Sequence, residues 1–437
     1  MKYICTALFL IGTLNSFAQK KWSLKECVDH VIENNISVKQ VKNNLLINDQ
    51  DTKAAKGQFL PGASLGLSQR LSLGPLEVFP GSFIDRTLHS SNLGFNISQT
   101  VFNGFRNLNV YKQSLINREA SELELSRIKD DVSLNVVNAY LNVLFNKENL
   151  QTAKTQVNFS KNQIEQVTAL VEAGVQPQAS TYDAEATLSS DEQRLTVAQN
   201  NYDLALLSLS QLLQLPYQGF QISIISIPSP SEALMYPDIA PVLAFALSNR
   251  TEIKIAEKNR EAAELSTQIA NSGYYPSVSL GYGFNSGAVF SNLSNDNSFF
   301  QQINDNKGHA FNLNISIPLF SRFQNKTAVA KSKIQEDNAK LNLDQTKLEL
   351  ESNIQRAFTD AQAALKTFIA TKKSLEARQL SFNNARERYD IGALNAFDLE
   401  QNRVQLINAE ASLINAKFDF VFKTKVLDFY MGNKIVD

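Results

Sequence analysis

Side chains that could do chemistry are few and widely scattered in this chain. Three histidines, His30, His89 and His309, share no spacing that would bring them to one metal ion. A zinc or iron site needs three or four convergent ligands, so the sequence predicts no metal site and no cofactor. It also has no nucleophile motif and no glycine-rich phosphate loop, and its carboxylates are spread along helical faces. These absences predict that the protein is not an enzyme.

The first 18 residues have the pattern of a secretory signal peptide. Lys2 precedes an apolar core, and Ser16-Phe17-Ala18 places small residues at the cleavage positions. Cleavage before Gln19 leaves Cys27 as a lone, buried thiol, so no disulfide can form within one chain. The formal net charge is −1 with both signs well mixed, and no basic patch for nucleic acid is present.

The longest stretch without glycine or proline runs from Arg106 to Ala173. An apolar series recurs at every seventh residue within it: Val136, Val143, Leu150, Val157, Ile164 and Val171. The same series recurs 218 residues later as Ile354, Ala361, Phe368, Leu375, Phe382 and Tyr389. Such a stripe faces a partner helix. Each stretch therefore predicts a single helix roughly 100 Å long at ~1.5 Å per residue.

A glycine follows each long helix and predicts a tight turn. Gly174, with Pro177 behind it, ends the first helix, and Gly392 is its equivalent in the second half. A returning helix is predicted from about Gln178 to Leu215. The returning helices carry their own heptad series: Leu188, Leu195, Tyr202 and Leu209, then Leu406, Leu413, Phe420 and Leu427. Each long helix and its returning helix form an antiparallel hairpin.

The period changes from helical to two between a first helix, Ser23 to Lys56 with a break at Asn34-Asn35, and the long helix. Apolar residues alternate with small or polar ones in runs of about ten: Ala63 to Leu73, Leu93 to Val101, Val278 to Phe284 and Phe311 to Ile317. A loop containing Pro75, Pro80 and Gly81 joins the first two. A soluble sandwich shows similar alternation, but ten residues also match a tilted transmembrane strand. Any membrane crossing must be made by these strands, since no later run approaches ~18 apolar residues.

The whole pattern occurs twice. Residues 19–215 form a first structural repeat of helix, β-hairpin and long helical hairpin, and residues 242–437 form a second. Residues 216–241 are a linker that holds five of the eleven prolines. The offset between repeats is 215 before the strand-connecting loop and 218 after it. Two repeats supply four strands, whereas the smallest membrane barrel needs eight. The chain must therefore oligomerise, as two copies with eight strands or three copies with twelve.

These residues resemble the TolC-type outer-membrane efflux proteins over essentially the whole mature chain. The resemblance rests on the duplication, on the helix–strand junctions and on the hairpin turns. The junction residues are Pro61, Gly104, Pro276 and Pro318, within Leu60-Pro61, Ser98 to Gly104, Tyr275-Pro276 and Ser316 to Phe320. The turn residues are Gly174 and Gly392, the latter within Tyr389-Asp390-Ile391-Gly392 and followed by Asp398.

The resemblance implies a mainly α fold with a transmembrane β part. It implies a homotrimer whose twelve-stranded β-barrel lies in outer-membrane lipid and continues as a periplasmic α-helical barrel. It also implies a passive exit duct for small toxic compounds, opened by a periplasmic adaptor protein and an inner-membrane pump. Two alternatives remain open: the outer-membrane component of type I protein secretion, and a structural coiled-coil protein of the envelope.

Related proteins often carry an acidic ring at the start of the returning helix. The resemblance places Asp398 in such a periplasmic gate, with Ser180 at the equivalent first-half position and Asp183 three residues on. Leu394 stands where the family can carry a basic residue, which predicts an apolar constriction instead of a salt bridge. The local alternative is helix capping, by Asn395 with Asp398 and by Ser180 with Asp183.

Overall fold

The computed structural model describes residues 21–224 and 230–433. The predicted signal peptide, residues 1–18, lies outside the described residues. The first repeat contains β1 (Lys21–Trp22), α1 (Leu24–Asn34), α2 (Ile36–Gly57), β2 (Gly62–Phe79), β3 (Ser82–Asn103), α3 (Arg106–Glu172) and α4 (Ala179–Leu212). The remaining elements are β4 (Gln221–Ile222), α5 (Ala240–Asn249), α6 (Thr251–Asn271), β5 (Ser277–Ser291), α7 (Phe299–Asp305), β6 (Gly308–Ser316), α8 (Gln324–Asp390) and α9 (Ala396–Tyr430).

The chain divides into two compact units, and each contains parts of both predicted repeats. The helical unit comprises residues 1–40, 126–250 and 348–437, and the sheet unit comprises residues 41–125 and 251–347. No helix in residues 21–224 and 230–433 is long and apolar enough to cross a membrane.

The heptad series are confirmed as the buried stripes of the helical unit. Val136, Val143 and Leu150 are at most 2% exposed, and Ile354 and Ala361 are fully buried. The α8 stripe packs on the α9 stripe, where Phe368 stacks on Phe420 with ring centroids 6.1 Å apart. Burying a Val, Leu or Phe side chain stabilises a fold by about 1.5–3 kcal/mol relative to leaving it exposed. A narrow stripe repeated over many turns therefore holds a long helix against its partner.

The helix ends agree with the predicted turns, with one shift. Gly174 and Gly392 have φ of +74° and +75°, and the next N–H in each case bonds back to a carbonyl five residues earlier, Leu170 and Arg388. Helix α4 ends at Leu212, three residues before the predicted Leu215. Gln214 takes the left-handed conformation there and Leu215 N–H bonds to Ser210 O, so a non-glycine residue closes this helix with the same motif.

The sheet unit contains one antiparallel sheet in the order β2-β3-β5-β6. Gly62 pairs with Ser98 in the first hairpin, and Ser277 pairs with Ser316 in the second. These partners are separated by 215 and 218 residues between the hairpins, so the two hairpins have the same register. The pairing of β3 with β5 joins the two repeats.

The first hairpin is longer than the predicted ten-residue strands. Strands β2 and β3 have 18 and 22 residues, and pairing continues through Pro75 opposite Asp85. The predicted loop is therefore reduced to a turn at Pro80-Gly81. Proline is tolerated in β2 because this strand lies at the edge of the sheet, where a missing N–H removes no ladder bond on the outer side.

Two further elements were not predicted from the sequence. Helix α7 lies in the β5–β6 connection, where Gln302 Oε1 accepts a 2.9 Å hydrogen bond from Val289 N–H and Asn306 Nδ2 donates to Gly287 O at 2.7 Å. These bonds satisfy backbone groups of β5 beyond the end of β6. In the linker, β4 pairs in parallel with β1. Both features depend on contacts distant in sequence, which periodicity does not report.

The strand-to-helix junctions repeat in atomic detail. Asn103 Oδ1 accepts a hydrogen bond from Asn107 N–H, and Ser321 Oγ accepts one from Asn325 N–H in the second repeat. Each of these asparagines donates its side-chain amide to a backbone carbonyl at the end of the preceding helical segment, Gln58 or Gly273. The predicted junction residues Pro61, Gly104, Pro276 and Pro318 all lie beside these contacts, between a helix and a strand.

Gly104 is the junction residue with the least room. Its φ is +63°, and a Cβ built there would lie 2.7 Å from Tyr275 Cβ and 2.8 Å from Ser272 O. We expect Gly104→Ala to lower the unfolding temperature of the purified protein in detergent, because both the conformation and the contact oppose a side chain. Gly81→Ala is the matched control in the same sheet, since φ there is +81° and nothing lies within 4 Å. Equal shifts in the two variants would contradict the steric argument.

Candidate functional site

The two hairpin turns lie together in the helical unit. Gln176, in the α3–α4 turn, donates its side-chain amide to Tyr389 Oη at the end of α8 over 3.3 Å. The predicted turn residues Gly174 and Gly392 are thus brought into one region. The left-handed glycine in each turn lets the chain reverse within three or four residues and places the start of the returning helix beside the end of the long one.

Asp398 belongs to the N-terminal cap of α9. Asn395 Oδ1 accepts a 2.8 Å hydrogen bond from Asp398 N–H, and Asn395 Nδ2 donates to Asp398 Oδ2 at 3.0 Å. The predicted cap by Asn395 is therefore confirmed. The Asp398 side chain accepts the second bond without being needed for the first, so its charge remains available for another role.

The corresponding box at Ser180 was predicted wrongly. Helix α4 begins at Ala179 after Gln178, and no side chain caps it. Ser180 N–H bonds instead to Pro177 O, which places Ser180 inside the first helical turn, beyond the position from which a hydroxyl caps a helix. The heptad pattern alone could not position this helix start.

Ser180 and Asp183 instead line a cleft of about 320 Å³ between α3, α4 and α9. Gln176 from the first turn, and Phe397 and Glu400 from α9, also line it. Phe397 is 76% exposed, so this end of the helical unit presents an aromatic ring beside two carboxylates. Asp398 does not line the cleft, and Leu394 is half-buried against the apolar cluster of Phe382, Ala385, Leu399 and Leu406.

A buried ion pair lies next to this cleft and was not found from the sequence. The side chains of Arg403 on α9 and Asp191 on α4 are 3% and 1% exposed, and Arg403 Nη1 donates to Asp191 Oδ2 at 2.8 Å. Ser160 Oγ on α3 donates to the same carboxylate oxygen at 2.5 Å. Arg403 also donates two hydrogen bonds to the Glu400 carboxylate, at 2.7 and 2.8 Å. The pair therefore links three helices from both repeats.

Burial and pairing act in opposite directions on this arginine. Burial alone would lower the pKa of Arg403, but its bonds to Glu400 and Asp191 hold the pKa above the ordinary value. The guanidinium is therefore charged at every relevant pH. A charge inside an apolar stripe was the available sequence signal: Arg403 lies between Leu399 and Leu406, and Asp191 lies between Leu188 and Leu195.

No group of three or more His, Cys, Asp or Glu residues suited to holding a metal ion occurs in residues 21–224 and 230–433. The candidate site is therefore described by helix ends, carboxylates and an exposed aromatic ring. Such a site can be opened, closed or docked against.

Comparison with known proteins identifies the class. The family model described as outer membrane efflux protein matches residues 27–214 and 242–433. The pyoverdine export outer membrane protein OpmQ of Pseudomonas putida is 24% identical over 369 residues, covering 82% of this chain and 75% of the relative. The crystal structure of CusC superposes with a TM-score of 0.81 at 17% identity, covering 94% of this chain and 92% of that chain. VceC of Vibrio cholerae superposes with a TM-score of 0.77 at 18% identity, covering 94% and 96%.

The fold is that of TolC-like channels, mainly helical with a β-sheet part. The chain belongs to the outer membrane efflux protein family. It is an outer-membrane protein and an exit duct of efflux systems. Proteins of this family are channels rather than enzymes, and they generally act as trimers with adaptor proteins and inner-membrane pumps.

The buried ion pair is expected to stabilise the packing of α4 on α9. Asp191→Ala leaves the Arg403 guanidinium buried with Glu400 as its remaining carboxylate, which should cost about 3 kcal/mol and lower the unfolding temperature. The double variant Asp191→Ala/Arg403→Met should recover most of this loss, because no buried charge remains. The measurement is thermal unfolding in detergent followed by circular dichroism at 222 nm.

Arg194→Ala is the control for this prediction. Its side chain is 50% exposed and lies 3.5 Å from the other oxygen of Asp191, so its loss should cost about 1 kcal/mol or less. An Asp191→Ala variant as stable as Arg194→Ala would show that the buried pair does not hold these helices together.

Proposed function

We propose that three copies of this chain form a passive exit duct that is closed at the hairpin turns. The observation that carries the proposal is the meeting of both turns, held by Gln176 and Tyr389, with Asp183, Asp398 and Glu400 nearby in sequence. Threefold symmetry would bring three copies of this acidic end around one axis, where carboxylates select cations. Neither turn contains chemistry that could drive transport, so the energy comes from a partner.

We propose small toxic compounds as the cargo. A relative named for pyoverdine export, 24% identical to this chain, supports a small molecule. A periplasmic adaptor protein and an inner-membrane pump are the proposed partners, and the pump selects what enters. The four-stranded sheet of each copy would supply one third of a twelve-stranded barrel in the outer membrane, with its alternating apolar face toward lipid.

The proposed opening is a movement of the hairpins as packed units. The α8–α9 stripes form continuous apolar clusters, so bending one helix alone would expose buried side chains. Packed helices exchange between discrete arrangements and do not deform continuously. The bond between Gln176 and Tyr389 is partly exposed and joins neutral groups, which makes it a contact that an adaptor can replace at low cost.

The charge of Asp398 is tested by single-channel conductance in a planar bilayer. We expect a small, cation-selective conductance that hexaamminecobalt(III) blocks from the side of the helical unit. Asp398→Asn should weaken this block at least about tenfold, since three carboxylate charges are removed and tenfold corresponds to about 1.4 kcal/mol. Asn395→Ala is the matched control, because it removes the helix cap but keeps the charge, and the block should persist. An unchanged block in Asp398→Asn would leave this residue a capping partner only.

The cleft beside Ser180 and Asp183 is the proposed docking site for the adaptor. Its exposed Phe397 offers an apolar anchor beside carboxylates, the combination that binding sites commonly place at their centre and rim. A photo-crosslinking phenylalanine analogue at position 397 in living cells should form a covalent adduct with a periplasmic adaptor, identified by mass spectrometry. The control is the same analogue at Tyr182, which is 63% exposed on α4 and does not line the cleft. An adaptor adduct at 182 alone would place docking on another face.

A further inference from the structure

We propose that β6 of one copy pairs antiparallel with β2 of the next copy in a single defined register, in which Asn314 faces Ser68 of the next copy. This proposal rests on the proposed trimeric duct and adds the residue-level pairing at the seam between copies. Strands β2 and β6 form the two edges of the sheet, and neither pairs on its outer side within the part of the chain that the structure describes. Exposed edges present unpaired N–H and C=O groups, which must find partners in lipid.

The internal duplication predicts the register. Adding 215 to β2 residues and 218 to β3 residues converts the first hairpin into the second. Gly62 opposite Ser98 becomes Ser277 opposite Ser316, and Leu65 opposite Phe95 becomes Leu280 opposite Leu313. The same offsets therefore relate the two hairpins over their whole shared length.

The seam between the repeats is already present once within the chain. Strand β3 pairs with β5, with Asn96 opposite Gly283. The same offsets convert β3 into β6 and β5 into β2. Asn96 becomes Asn314 because 96 + 218 = 314, and Gly283 becomes Ser68 because 283 − 215 = 68. If the copies continue the sheet as the repeats do, Asn314 lies opposite Ser68 of the next copy.

The side-chain pattern supports this register independently. It places Ile315 opposite Leu67 and Phe311 opposite Leu71 of the next copy, and the polar Asn314 opposite Ser68. Apolar residues therefore meet on one face and polar residues on the other. A slip by one residue would set every apolar residue of β6 opposite the polar face of β2, which a sheet with lipid on one side excludes. A slip by two keeps the faces, and only the duplication argument excludes it.

The lengths of the edges also agree. Strand β6 has nine residues, Gly308–Ser316, and the register places them opposite Gly74 to Gly66, entirely within β2. The Leu67 and Phe311 side chains are 74% and 82% exposed in one copy. Both lie on the apolar face, where the seam would continue the alternation of the sheet.

The two seams differ at their helix end. Gly104 fits there because a Cβ would collide with Tyr275 Cβ and Ser272 O. Its equivalent is Arg322, with φ of +49°, which would face Leu60 and Gly57 of the next copy. A seam identical to the internal one would leave no room for the Arg322 Cβ, so the chains must separate slightly there. The test therefore uses residues in the middle of β6.

The test is disulfide cross-linking in the outer membrane of cells, in a Cys27→Ala background. Asn314→Cys with Ser68→Cys should give a ladder ending at a covalent trimer on a non-reducing gel. The two cysteines cannot join within one chain, because two strands separate them and neighbouring strands are ~4.8 Å apart. Disulfides need Cα atoms within ~7 Å. Asn96→Cys with Gly283→Cys is the matched internal control and should close a disulfide without any increase in mass.

Asn314→Cys with Arg70→Cys reports the competing register, shifted by two on the same face, and should cross-link at least about tenfold more slowly. A faster reaction of this pair would overturn the proposed register while leaving the trimeric duct in place. Cross-linking by neither pair, with trimers confirmed by mass in detergent, would also overturn the register. A monomeric protein would overturn the proposed function itself.

Discussion

Continuous burial of a narrow apolar stripe is the constraint on which the rest of the structure depends. Helices of 67 residues, such as α3 and α8, are far longer than the ~11 residues of a typical globular helix. Only a partner stripe of the same repeat can cover them at every turn. Any polar group that falls within the stripe must then find partners across helices, because an unpaired buried charge is strongly destabilising.

Arg403 and Asp191 show how the chain meets that requirement. Both lie inside stripes, and their pairing joins a helix of the second repeat to two helices of the first. The duplication does not preserve this cluster: Arg403 corresponds to Glu185, and Asp191 corresponds to Ala409. The repeats therefore share a backbone plan but carry different polar contacts. A gate that moves one hairpin relative to the other has such asymmetric contacts available, which a perfect repeat would lack.

The junctions show the opposite behaviour, since their polar contacts are duplicated. The caps at Asn103 and Ser321 and the amides of Asn107 and Asn325 do the same work in both repeats. A strand that turns directly into a helix leaves several backbone N–H and C=O groups without ladder or helical partners. Local side chains satisfy them, and this need is identical wherever the same turn is built.

The sequence by itself determined the features that depend on period and on backbone freedom. The heptads predicted the long helices and their buried faces, alternation predicted the strands, and Gly174 and Gly392 marked the turns, because these signals are local and repeat. Only the tertiary structure decided the extent of β2 and β3 through Pro75, the helix α7, the start of α4 at Ala179 and the pair of Arg403 with Asp191. Each of these depends on which distant backbone or charge lies opposite, and a local period carries no information about that partner.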